Sequence, residues 1–208
     1  MGPTDAPDRP SDQDFSDELE GWLEADGPKT VGDLLEAFDE RSFAVTVMLL
    51  LFVPALPLPT GGVTHVLEAI AILIAFQMVL GRHTIWLPER LLRRELGNVM
   101  TGRAIPFMVR RVRWFERFSR PRMASLFERT WFLRVIGLLL IVCTIGSAIA
   151  PPFSALDTLP ALGGVVICLS IVLADVVVLA IGAAVAAGGI ALIVTIGAAV
   201  ASALRGLF

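Results

Sequence analysis

Three polar side chains, Thr60, His65 and Glu68, sit close together in an otherwise apolar stretch. His65 and Glu68 are three apart, which puts them on one helix face. They are the ionisable residues among the 39 from Phe43 to Gly81. An ionisable pair inside a membrane segment is costly, so it points to a proton-coupled site or a contact with a polar headgroup. At the bilayer surface the same pair would simply be solvated. Asp175 is a second acid that interrupts apolar sequence. It would either pair with an arginine or cap the helix that follows it.

Arginine is the other candidate chemistry. Arg82, Arg93, Arg94, Arg110, Arg113, Arg117 and Arg120 lie in a segment, 82–134, that carries 13 arginines against four glutamates. The planar guanidinium fork grips phosphate through paired hydrogen bonds. Anionic lipids and polyprenyl phosphates both present phosphates at a membrane surface. The plainer reading is topology-setting charge, attracted to the leaflet by ~1 kcal/mol per residue. Membrane-type aromatics alternate with these arginines, which argues against nucleic acid. The sequence holds no nucleotide-binding glycine loop, no metal-ligand spacing and no nucleophile–base set. With no tyrosine and two histidines there is little acid–base equipment. No catalytic residue, metal or cofactor is expected, and the chain is not expected to be an enzyme.

The elements that must position these residues follow from hydropathy. The chain is 55% hydrophobic with a mean hydropathy of +0.75, which indicates an integral membrane protein. Phe43–Gly81 as one helix would be ~58 Å, about twice the ~30 Å hydrocarbon thickness. Pro54, Pro57, Pro59, Gly61 and Gly62 interrupt it, so a hairpin is expected, with arms Phe43–Leu56 and Val63–Gly81. The first arm is ~21 Å and the second ~28 Å, so the hairpin is re-entrant or its elbow lies within the membrane. A proline-rich turn just outside the bilayer is the alternative. The elbow residues Pro54, Pro57, Pro59, Thr60, Gly61 and Gly62 join His65, Glu68 and Asp175 as candidates to line a ligand cavity, because broken helices often form transporter sites.

Phe132–Ala150 reads as a spanning helix, followed by a second elbow, a short arm at Leu162–Ala174, and 29 uncharged residues from Val176 to Leu204. Small residues crowd this last stretch and favour close helix packing. A homodimer through it is plausible, and Gly188-Gly189 could split it. Two cysteines, Cys143 and Cys168, lie in apolar runs and are expected to be buried and structural.

The charge is segregated: residues 1–41 carry a net −10 and residues 82–134 a net +9. Residues 1–29 are expected to form an acidic, largely disordered tail without a signal peptide. The membrane domain would then run over 30–208. It comprises an interfacial helix plus first hairpin (30–81), an amphipathic arginine-rich connector (82–130), and a second hairpin with C-terminal membrane segment (131–208). The acidic face of the 30–41 helix could lie against the connector. Arginine excess places that connector, and hence the N-terminus, in the cytoplasm. The expected fold is therefore an all-α integral membrane protein of two hairpins with interfacial amphipathic helices. The hairpins also read as duplicated. Glu40-Arg41-Ser42-Phe43 and Glu128-Arg129-Thr130-Trp131 each precede an apolar arm, a proline-rich elbow and paired glycines.

Phe52–Gly61, Gln77–Arg82 with Ile85-Trp86-Leu87-Pro88, and Arg113-Trp114-Phe115-Glu116 together resemble the ExoD-type exopolysaccharide-synthesis family of bacterial membrane proteins. The resemblance covers roughly residues 30–205. It implies a role in making or exporting surface polysaccharide and brings no catalytic residues with it. A multi-pass inner-membrane protein that binds or translocates a phosphate-bearing lipid or lipid-linked intermediate is the leading expectation. The alternatives are a structural or regulatory protein binding lipids or the polysaccharide-synthesis machinery, and a small ion- or proton-coupled transporter.

Overall fold

The computed structural model describes residues 15–25, 27–38, 42–56, 63–82, 84–93, 102, 105–118, 123–150 and 156–205. Among these, every regular element is helical: α1 (Phe15–Glu24), α2 (Val31–Phe38), α3 (Ser42–Phe52), α4 (Val63–Val79), α5 (Glu89–Leu92), α6 (Ile105–Phe118), α7 (Ala124–Phe127), α8 (Thr130–Ile149), α9 (Thr158–Val172) and α10 (Val176–Arg205).

Phe43–Gly81 is two helices, as the prolines require. The hydroxyl residues expected to precede the apolar arms, Ser42 and Thr130, are the first residues of α3 and α8. Ten of the eleven residues of α3 are buried. A helix apolar and covered all round belongs to a core. The helix α9 is covered almost as fully. Around these two short central helices, α3 packs on α4 and α9, and α8 packs on α4 and α9. Exchanging α3 with α8 and α4 with α9 leaves this ring of contacts unchanged.

The outer helices turn apolar faces outward. On α8 the exposed residues Trp131, Val135, Leu138, Val142, Ile145 and Ile149 recur at four and three, one continuous stripe. Such a face is a liability in water and an ordinary surface in lipid. Two helices, Thr130–Ile149 and Val176–Ala199 within α10, are long and apolar enough to cross a membrane.

Both α4 and α9 end in the same hydrogen-bonded cap. Arg82 N–H donates to the Gln77 carbonyl and Gly81 N–H to that of Met78; Asp175 N–H donates to Ser170 and Ala174 N–H to Ile171. This is the Schellman pattern, which needs a left-handed residue after the helix. Gly81 supplies it at φ 74°, whereas Ala174 adopts φ 48° with a Cβ in place. Left-handed backbone disfavours an L side chain by roughly 1–2 kcal/mol. Ala174→Gly should therefore raise stability by about 1 kcal/mol, read as a higher midpoint of thermal unfolding in detergent.

The structure sharpens the sequence reading in three places. The split at Gly188-Gly189, which the sequence leaves open, does not occur: α10 is continuous over 30 residues, ~45 Å of helix. Within the acidic N-terminal segment, the short helical pattern that Ser16-Asp17-Glu18-Leu19 opens is α1, which packs on α6 with Leu19 fully buried. Gly163 and Gly164, which the sequence pattern sets after the second elbow at the start of the arm Leu162–Ala174, lie within α9, which begins earlier at Thr158, and Gly163 faces Ala186 of α10.

The second acidic helix is fixed locally. Asp33 N–H donates to Thr30 Oγ1 at 3.2 Å, and Thr30 N–H and Oγ1–H donate to Asp33 Oδ2 at 2.9 and 2.6 Å. This reciprocal box starts α2. The Thr30 hydroxyl, then its N–H, hold the Asp33 carboxyl below the ordinary carboxylate range, with Lys29 adding a little. A folded value below the unfolded one means the contribution is present above the unfolded value and is lost as pH falls through the folded one. Hydrogen exchange at the first turn of α2, corrected for intrinsic rates, should accelerate in acid. Asp33→Ala should remove that pH dependence.

Candidate functional site

The polar site forms where the C-terminal end of α8 meets the first turns of α4 and the entry to α9. Glu68, 1% exposed, is among the largest fully buried side chains. Its Oε2 lies 2.9 Å from His65 Nδ1. The imidazole is half exposed while the carboxyl is sealed. On the other side, the Ser147 hydroxyl of α8 contacts Glu68 Oε1 at 2.5 Å and the Asp157 carbonyl oxygen at 3.2 Å. Thr64 is buried one residue before His65, and Pro54 and Ala55 are buried after α3. Thr158, next to Asp157, has a buried hydroxyl with no partner among the described residues. The arrangement joins α4, α8 and the entry to α9 in one hydrogen-bonded chain, His65–Glu68–Ser147–Asp157. Such a chain can hold and pass a proton, or offer a carboxyl and hydroxyls to a polar ligand.

Pro57, Pro59, Thr60, Gly61 and Gly62 lie outside the described residues. Asp175 is not part of this site. It sits at the opposite end of α9, buried, and its Oδ1 accepts the Val177 N–H at 2.8 Å, so it caps α10.

The arginines are not gathered with Glu68 either. Arg82 follows the cap of α4, 14 residues and ~21 Å along the helix from Glu68. Near it, a Cβ on Gly81 would come within 2.8 Å of Arg134 Nη2, so Arg134 of α8 covers that turn. Arg93 is exposed and 3.7 Å from Glu89. Arg110 is exposed on α6, and Arg117 lies in its last turns. Arg113 is engaged: Nη2 lies 2.9 Å from Asp17 Oδ1 and also contacts Glu20 Oε2. The hydrogen bond and charge of Glu20, then those of Asp17, raise the Arg113 pKa above its ordinary value. The acidic face that lies on the arginine helix α6 therefore belongs to α1. The helix read at 30–41, α2, also meets the connector, packing on its α5 as well as on α3. Arg94 and Arg120 lie outside the described residues.

The helix α6 has the two-faced character its spacing implies, with Ile105, Val109 and Val112 buried and Arg110 outward. Trp86, Trp114 and Trp131 are all more than half exposed.

Sequence reasoning missed Ser147 and underused Gln77. Ser147 is one of two hydroxyls, with Thr144, in an apolar arm, and its partner is 79 residues away. Gln77 is buried in α4 and clamps the Trp86 backbone, accepting its N–H at 2.7 Å and donating to its carbonyl at 3.0 Å. Cys143 and Cys168 are buried and free, and no cluster of three or more His, Cys, Asp or Glu suited to a metal occurs among the described residues.

Short buried helices ringed by longer apolar ones, with the Glu68 carboxyl sealed between them and two helices apolar enough to span a bilayer, make the described residues an all-helical bundle of membrane type with a polar site set into it. The chain belongs to the ExoD family: the family model described as "Exopolysaccharide synthesis, ExoD" matches residues 15–195. Protein ExoD of Rhizobium meliloti is 30% identical over 135 residues, 62% of this chain and 55% of its own length. This chain thus spans little more than half of that relative. An uncharacterized protein of Synechocystis is 26% identical over 157 residues, 71% of this chain and 70% of its own length. No solved structure matches.

Proposed function

We propose that this chain binds and translocates a phosphate-bearing lipid or lipid-linked intermediate of exopolysaccharide synthesis, as a multi-pass protein of the bacterial inner membrane. The observation that carries the reading is the Glu68 carboxyl, buried and bonded to both hairpins where their helices end and begin. A buried ionisable group in such a place is retained for use, since an apolar residue would pack there without desolvation.

Two hairpins related by duplication are part of the proposal. The exchange-invariant ring of contacts, the matching starts at Ser42 and Thr130, and the matching caps of α4 and α9 support it. Repeats of this kind place substrate sites at their interface, and α3, only ~16 Å long, suits a re-entrant arm. Exposed Trp86 and Trp131 flank the arginine-bearing ends of α4 and α8. They form an interfacial belt on the cytoplasmic side, with the N-terminus on that side too. Arg82 and Arg110 receive the phosphate at the inner leaflet. The Glu68 site acts at the other end of the same helices, and the protein is not an enzyme.

Purified protein in vesicles carrying a fluorescent polyprenyl phosphate tests this. Translocation, measured as loss of protection from an external quencher, should be accelerated over protein-free vesicles. It should fall to the protein-free rate in Glu68→Ala. Equal rates with and without the wild-type protein would overturn the lipid-transport reading.

A further inference from the structure

The polar chain at the hairpin junction has a charge problem with one local solution. The carboxyl of Glu68 is buried, and the elements packed around it supply almost no countercharge. The helix α3 has no charged residue, and α8 has Arg134 as its one charged residue, 13 residues and ~20 Å from Ser147, besides the thiol Cys143. The helix α9 is uncharged, and Asp157 before it is another acid. Arg205 is the one ionisable residue of α10 and lies near the end of the chain. The elbow segments 57–62 and 151–155 contain none. An isolated carboxylate in such surroundings would be strongly disfavoured. His65, at 2.9 Å, is the group that can balance it.

The hydrogen bonds show how. Ser147 Oγ has one hydrogen and two acceptors in reach, Glu68 Oε1 at 2.5 Å and the Asp157 carbonyl at 3.2 Å. With a proton on the Glu68 carboxyl, Oε1–H donates to Ser147 Oγ, Ser147 donates to Asp157, and neutral His65 donates Nδ1–H to Oε2. Every contact is then a hydrogen bond. With the proton on the imidazole, His65 and Glu68 form an ion pair and Ser147 donates to the carboxylate. The two arrangements differ in the place of one proton, on Glu68 Oε1 in the first and on His65 Nε2 in the second, while Nδ1–H faces Oε2 in both; both are net neutral.

We infer that His65, Glu68 and Ser147 form a binding site for one exchangeable proton, loaded from the exposed face of His65 and delivered to Glu68 inside the bundle. This rests on the Glu68 site being functional but not on the lipid reading, since a proton site serves any cargo. It makes the translocation step proton-coupled: the site empties only when something else neutralises Glu68.

Infrared difference spectroscopy of the reconstituted wild-type protein, without added lipid cargo, reads the site directly. A pH step should produce a protonated-carboxyl band that is absent in Glu68→Gln. A pH-indicator dye should count one proton fewer per chain in that variant. Ser147→Ala should keep the band and move it to the higher frequency of a less strongly hydrogen-bonded carboxyl. That second variant keeps the test decisive if Glu68→Gln does not assemble. A wild-type spectrum with no carboxyl band across the titration, or bands that respond to sodium and not to pH, would overturn the proton site. Either result would leave the vesicle lipid assay to decide the transport reading on its own.

Discussion

Gly163→Leu is expected to undock α10 from α9 and leave the chain unable to assemble. A Cβ at Gly163 would lie 2.6 Å from the Ala186 backbone nitrogen and 2.7 Å from its Cα. Backbone in a helix cannot step aside as a side-chain tip can. The same seam is tight at Gly182, 2.8 Å from the Ile167 nitrogen, and at Gly189, 2.8 Å from the Pro160 nitrogen. Overpacking typically costs ~1–3 kcal/mol where neighbours can adjust, so the upper end of that range is a minimum here. In lipid no hydrophobic drive compensates, because apolar side chains are equally at home facing acyl tails. Accumulation in membranes and a monodisperse peak in detergent should both be lost, while Gly188→Leu should be tolerated, since a Cβ there meets nothing within 4 Å. Normal assembly of Gly163→Leu would mean that the α9–α10 seam is not as close as described.

Gln77→Ala is expected to release the turn between α4 and the arginine segment, at ~3 kcal/mol. Two good hydrogen bonds vanish, at 2.7 and 3.0 Å, each worth ~1 kcal/mol. The Trp86 N–H and carbonyl are left to find other partners, at a further penalty of ~1–3 kcal/mol for a group that stays buried. Gln77→Glu separates the two bonds: it keeps the acceptor for Trp86 N–H and loses the donor. Its unfolding midpoint should lie between those of wild type and Gln77→Ala. A Gln77→Ala midpoint within error of wild type would show that the clamp contributes nothing.

These two residues show what sequence could and could not reveal. The division of Phe43–Gly81 into two helices was legible because proline and glycine act locally: α3 ends at Phe52, shortly before Pro54, whatever packs around it. The face of α6 was legible from its three-and-four spacing. The unbroken course of α10 was not, because paired glycines that would end a helix in water do not end one in lipid. There the backbone has no water to replace its hydrogen bonds. The role of Gly163 needs the position of α10, and the role of Ser147 needs the register of α8 against α4; neither is encoded near those residues. For α1, ten residues are too few to be helical alone, and its order comes from Leu19 and Arg113 contacts made across 90 or more residues. At the site, the pairing of His65 with Glu68 was visible from their spacing of three. The burial of one beside the exposure of the other was not.

The most direct measurement of whether Glu68 is a working group is surface-polysaccharide output in a bacterium whose own copy of this gene is deleted and replaced by Glu68→Gln. Glutamine keeps the size and the hydrogen-bonding reach of the side chain but cannot carry the proton or the charge. Output is expected to fall to that of the deletion strain, with the variant present in the membrane at wild-type level. Wild-type output from a stably inserted Glu68→Gln protein would contradict a functional site at the hairpin junction.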